Sequence, residues 1–232
     1  MKNFELTNET VVNDFGVTLH RIRAVKDIVT SHFTVKAGEF GGFVEKVDNL
    51  ADNAWIYDNS MVYDNSMVYG NARVYGNAIV CGNARVCGNA EVYGNAMICG
   101  DSMVCGDSMV YDNAMVYDNA RVYGDAEVCS DAMVYGNAGV YGNAMVCGKA
   151  RVYSNAEVFR TNHYLVIGPI GSRNDYTTFF RSKEGVIKVK CGYFVGTTDE
   201  FLDKVEKTHG DSKYAKVYRM ATEMALEQID MN

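Results

Sequence analysis

The chain has one proline, one tryptophan and four histidines in 232 residues. With proline so scarce, its turns must come from glycine, asparagine and aspartate. No apolar run reaches the ~18 residues that a membrane-spanning helix requires, so neither a span nor a membrane partner is expected. The stretch from Met1 to Gly16 has no basic segment leading into an apolar one, so no secretory leader is expected either. Seven cysteines are an odd number, and six recur at one slot of a repeat where tyrosine is the usual occupant. That pattern is neither a disulfide framework nor a metal-ligand spacing. It points to reduced thiols in a cytoplasm, with no metal and no cofactor. An overall basic charge is also missing. Residues 50–159 carry twelve acids against five bases, whereas residues 160–232 carry ten acids and eleven bases. The central stretch should therefore repel nucleic acid, and an anionic partner would have to meet the C-terminal part.

What the chain does have is a phrase of six residues. Twenty aliphatic residues occupy every sixth position from Val44 to Val158. Around each one the hexad reads x-Val-(Tyr/Cys)-(Gly/Asp)-(Asn/Asp)-(Ala/Ser). Three residues alternate out, in and out as a short strand does. The next three form a corner, because Gly, Asp and Asn tolerate left-handed backbone angles. Three corners close a triangular coil of 18 residues, and coils stack about 4.8 Å apart with their backbones paired. This periodicity is that of a hexapeptide solenoid. The expected organisation is an N-terminal β cap over 1–43, a β-helix over 44–159 and a small α+β domain over 160–232.

The register resembles the left-handed parallel β-helix family. More narrowly, the phrase "GNAxV" resembles hexapeptide proteins of bacterial and phage genomes. The resemblance implies the left hand, which spacing alone does not supply. Many such proteins are acyltransferases that use a histidine as general base. Here His20, His32, His163 and His209 all lie outside the hexads. Without a base near neutrality in the repeats, no catalytic residue is assigned and an enzyme is not expected.

Adding 18 along the chain builds outward ladders on three faces. The first carries Trp55, Arg73, Glu91, Met109, Glu127 and Met145. The third carries Met67, Arg85, Met103, Arg121, Gly139 and Glu157. On the second, Met61, Ile79, Met97, Met115 and Met133 run beside Tyr63, Cys81, Cys99, Tyr117 and Tyr135. That apolar strip, with Tyr117 and Tyr135, is the expected contact of a homo-oligomer, a dimer or trimer. Cysteine stacks on cysteine at 81/99, 87/105 and 129/147. This reads as like packing on like, since parallel Cβ vectors disfavour disulfide torsions.

Beyond the repeats, Tyr164–Ile167, Tyr176–Arg181 and Val186–Phe194 read as strands. Two helices follow, Asp199–Thr208 capped by Thr198, and one from Asp211 or Ser212 to about Ile229. The second should turn Tyr214, Val217, Tyr218, Ala221, Met224, Ala225 and Ile229 to the core. The segment "GPIGSRNDYTTF" is the expected ligand site: the turn at Gly171, Ser172 and Arg173 holds an anionic group, and Thr177 and Thr178 add hydroxyls. Asn174 and Asp175 brace the turn or accept from a sugar hydroxyl or base edge, and Tyr176 stacks on the ligand or packs. Arg181, Lys183, Lys188 and Lys190 on nearby strands would add positive field. An ordinary hairpin is the competing reading of the segment. His209 and Asp211 read as an interhelical turn or a functional pair, and Cys191 as a packed strand residue. "GSRND-TTF", "VKCG" and "THGD" resemble a domain that ends phage and prophage hexapeptide proteins. That resemblance implies a phage-encoded protein of the host cytoplasm, holding a small nucleotide-like anion such as an immune signal. A structural scaffold, a polymer and a protein-binding inhibitor are the alternatives.

Overall fold

The computed structural model describes residues 2–231. The hexads form a parallel β-solenoid of three sheets, with every strand paired to the strand 18 residues on. On the second face Met61, Ile79, Met97, Met115, Met133 and Arg151 pair in sequence. The first face runs from Trp55 to Met145 and the third from Met67 to Glu157 in the same register. The inward aliphatics from Val62 to Val158 are fully buried. Each corner residue after Tyr or Cys has positive φ: 71° at Gly76, 53° at Asp58 and 59° at Ser130. At Asp52, Asp58, Asp64 and Asp118 the carboxylate in this place accepts from the next coil, as when Gly76 N–H donates to Asp58 at 2.9 Å. The small residue behind the corner is buried, and where it is serine its hydroxyl donates to a carbonyl three residues back, as Ser66 does to Tyr63 at 2.6 Å.

The asparagines form ladders of their own. Asn59, Asn77, Asn95 and Asn113 each donate to the residue one coil on, and the run ends at Asp131. Aspartate accepts but cannot donate, so it terminates the chain of amides. Lys149 closes the ladder as the counter-ion of Asp131 at 2.5 Å.

Both ends of the stack are covered. Strands Phe4–Val12, Thr18–Ala24 and Phe40–Val44 extend the second-face sheet antiparallel to one another, and the last of them pairs in parallel with the first repeat strand. Phe4, Ile22, Ile28 and Val35 enter the first coil's core. The strand Phe4–Val12 was not anticipated. At the other end Phe180 enters the solenoid core while its neighbour Phe179 enters the core of the C-terminal domain. Alternation along one strand thereby joins the two cores.

The C-terminal domain is a sheet of Tyr164–Ile170, Asp175–Arg181, Ile187–Cys191 and Phe194–Thr197, followed by helices α1 (Thr198–His209) and α2 (Lys213–Gln228). The single strand expected over Val186–Phe194 divides at a turn where Gly192 has φ 55°. Thr197 caps α1 and Gly210 ends it, while Ser212 caps α2. Among the described residues no helix is long and apolar enough to cross a membrane.

Two expectations fail. Cys87–Cys105 and Cys129–Cys147 are disulfides, not stacked thiols. Their Cα atoms lie 4.6 and 4.7 Å apart, inside the range a disulfide spans. Rotation about each Cα–Cβ bond is enough to bring the sulfurs together despite parallel Cβ vectors. Cys81 and Cys99 have the same spacing and remain thiols. A hydrogen bond from Cys99, then one from Tyr63, holds Cys81 below the usual thiol range. The second fails only in part: Tyr218, Ala221, Ala225 and Ile229 on the expected face of α2 are buried, with Ala215 and Thr222 beside them, but Val217 and Met224 point outward.

Candidate functional site

A cavity of about 380 Å³ opens in the C-terminal domain, bounded by three elements and one turn. α1 supplies one wall. Phe201, Lys204, Val205, Thr208 and His209 recur at helical spacing, so they share one face. The helix begins with Asp199 and Glu200 and ends with Lys207 and His209, charges that suit its dipole. The sheet contributes Cys191 and, past the Gly192 turn, Tyr193 and Phe194. α2 contributes Tyr218, and the turn after Ile170 contributes Ser172 and Arg173.

The floor is aromatic. Phe201 packs edge-on to Tyr218 at 5.4 Å and lies 5.4 Å from Phe194, and His209 stacks on Tyr218 at 5.8 Å. The rim is cationic. Arg173 lies over the exposed Tyr193 ring at 5.6 Å, and Lys204 reaches from α1. Among the described residues neither cation has an ion-pair partner. No carboxylate among the described residues lines the cavity. Burial pushes the Tyr218 phenol up to about 12, so it stays a neutral donor.

The expected site divides. Ser172 and Arg173 line the cavity. Gly171 stands behind them at φ 71°, where a Cβ would collide with the Tyr218 phenol, so its smallness serves packing. Asn174 sits at φ 51° and its N–H donates to Gly171 O at 3.3 Å. Asp175 accepts from the N–H of Tyr176 at 2.7 Å, and the Tyr176 ring covers Gly168. Those three residues brace the turn. Thr177 and Thr178 do not line the cavity. Both are buried, Thr177 donating to Cys191 Sγ at 3.3 Å and Thr178 accepting from Arg151 N–H at 2.9 Å. Alternation along Asp175–Arg181 points them into the packed faces of the sheet.

The neighbouring cations are also spent elsewhere. Lys190 lies over Tyr153 at 5.3 Å, Arg181 over Phe159 at 5.6 Å, and Lys188 pairs with Glu184 at 3.1 Å. His163 is buried and accepts from Phe159 N–H at 3.2 Å. Met61, Ile79, Met97, Met115 and Met133 form the anticipated second-face ladder and are half-buried by one another, with Tyr117 and Tyr135 stacked at 4.8 Å. The cavity residues not foreseen as a site are Cys191, Tyr193, Phe194, Phe201, Lys204, Val205, Thr208 and Tyr218. The mixed helical stripe of α1 was the one sequence signal for those on that helix.

A family model of the YdcK beta solenoid repeat matches residues 68–82 and 110–124. Both stretches lie within the hexads, so the similarity concerns the rod alone. No curated protein matches the chain.

Proposed function

We propose that this is a non-enzymatic binding protein whose C-terminal cavity holds a small anionic, nucleotide-like ligand. One observation carries the reading: Arg173 and Lys204, free of ion pairs, stand over an aromatic floor in a cavity of about 380 Å³. A guanidinium fork suits the oxygens of phosphate or carboxylate, and Phe194, Phe201 and Tyr218 suit a flat apolar body. The volume is near the lower end of ordinary ligand pockets, about 300–1,000 Å³. Retention is favoured over turnover because no lining carboxylate is present to orient His209 as a base.

In this reading the rod multiplies binding sites. Further copies dock on the methionine and tyrosine ladder of the second face, giving a dimer or trimer. A phage-encoded role in the host cytoplasm, sequestering a nucleotide immune signal, is the finer version and rests on the family resemblance.

Calorimetric titration with AMP, ADP and a cyclic dinucleotide tests the cavity. At least one probe should bind the unaltered protein. Arg173→Ala should weaken it about 10- to 100-fold, as for loss of a hydrogen bond to a charged group. Arg173→Lys should also weaken it, because a point charge does not replace a planar fork. Mass and melting temperature should stay unchanged in both variants. The reading fails if no probe binds and heating the purified protein releases no small anion. Undiminished binding by Arg173→Ala places the site elsewhere. Loss of assembly in Met97→Asp, Met115→Asp without any ligand would favour the scaffold instead, and acetyl transfer from acetyl-CoA would favour an enzyme.

A further inference from the structure

α2 presents to solvent a face that does not suit a solvated helix. Val217, Met220 and Met224 are 37, 66 and 57% exposed, and their spacing of three and four places them in one stripe. A shallow groove runs along Met220, Met224 and Leu226, bordered by Glu223 and Glu227. The face opposite the core of an amphipathic helix is ordinarily polar.

The charges around this stripe are sorted by sign. Lys213 and Lys216 precede it, and Glu223 and Glu227 follow it. This order opposes the helix dipole, which favours acids at the start and bases at the end. α2 has no acid in its first turn and no base in its last, whereas α1 in the same domain has both. Arg219 is committed to Glu206 of α1, but Lys213, Lys216, Glu223 and Glu227 form no ion pair among the described residues. Lys213 lies over the ring of its neighbour Tyr214 at 5.1 Å, but among the described residues no ion pair offsets the unfavourable order.

We propose that the exposed face of α2 is a two-fold interface on which a second copy of this chain packs its own α2 antiparallel. Antiparallel pairing reverses the charge order of one helix against the other. With the axis at Met220, position 213 faces 227 and position 217 faces 223. Lys213 then meets the second copy's Glu227, and Lys216 lies beside its Glu223. Val217, Met220 and Met224 from each copy fill the centre, where methionine adapts to an imperfect fit. An isologous contact of this kind is self-complementary, and an antiparallel array with one sign at each end meets that condition. The interface lies on the side of α2 away from Tyr218, so the ligand cavity stays open. It is also separate from the second face of the rod. If that face closes a ring of two or three, the two-fold makes four or six; if it does not, the assembly is a dimer.

Light scattering on the full chain tests the interface. Lys213→Glu, Lys216→Glu places like charges opposite one another and should halve the assembly mass. Adding Glu223→Lys and Glu227→Lys restores complementarity with both signs reversed, and should restore the mass. The reversed charges suit the helix dipole better, so helix loss does not explain a halved mass, and circular dichroism checks this directly. A monomeric unaltered protein overturns the proposal, as does unchanged mass in the double variant. A halved mass that the fourfold variant does not restore overturns the antiparallel pairing.

Discussion

Each corner of the coil turns on one residue held at positive φ, and at several glycine corners an added Cβ would press on the backbone of the next coil. A Cβ on Gly88 would lie 2.9 Å from both the nitrogen and the oxygen of Gly106 in the next coil. Gly88→Ala combines that contact with the roughly 1–2 kcal/mol that a left-handed backbone costs an L-residue. We expect a loss of about 1–3 kcal/mol, read as a lower urea midpoint at unchanged slope. An unchanged midpoint would show that the stack gives way freely at its corners. Aspartate at Asp58 or Asp64 meets the same backbone demand, and its carboxylate gains an N–H of the next coil in return. This much was legible, since Gly, Asp and Asn recur where a corner must fall. The disulfides were not. A spacing of 18 residues puts Cys81 over Cys99 as surely as Cys87 over Cys105, and only the second pair is bonded. Side-chain rotation decides between them, and no periodicity reports on it.

Among the contacts that tie the C-terminal sheet to the last coil, one depends on pH. Glu184 accepts from Asn155 at 2.8 Å, which pulls its carboxyl down to about 2. A carboxyl depressed by folding adds stability that is complete above its ordinary range and is lost as pH falls toward about 2. Glu184→Gln should therefore melt lower than the unaltered protein near neutrality, and the gap should close on acidification to about pH 2. A gap independent of pH would mean that the tether does not act through charge. Glu184 is well exposed, so the effect is small. Two strands and both helices of this domain were legible from alternation and Gly210, but the break at Gly192 and the Thr197 cap were not. The cavity was not, because its lining comes from four separated segments and only Ser172 and Arg173 belong to the donor-rich turn. Thr177 and Thr178 look like ligand donors in a list of residue types, yet strand alternation buries them. The α2 face was read rightly at Tyr218, Ala221, Ala225 and Ile229 and wrongly at Val217 and Met224, because small Ala215 makes the close contact while these larger residues remain outside.

At the scale of the molecule, the rod's stability is a sum over neighbouring coils, so the number of coils is not fixed by folding itself. Removing Asp107–Gly124 deletes 18 residues, joins Gly106 to Asp125 and leaves every ladder in register. We expect this variant to fold, to keep both disulfides and any ligand affinity, and to shorten by about 4.8 Å in small-angle scattering. Removing nine residues from the same place should unfold the stack, because inward valines would meet outward positions. A nine-residue deletion that melted like the parent would show that register is not what holds the coils. The fold class was legible for the same reason that the deletion is tolerated: a single phrase repeats, and a phrase heard many times needs little context. The hand of the coil is different, since spacing is identical in a mirror. Three corners per coil also give the chain two units of measure. Eighteen residues change the height of the C-terminal domain, and six turn it by a third of a revolution about the rod. An insertion or loss of a single hexad would therefore re-aim the cavity and α2 relative to the N-terminal cap without altering either. The repeat is a dial as well as a spacer, and the compass bearing of one end against the other can change in whole clicks.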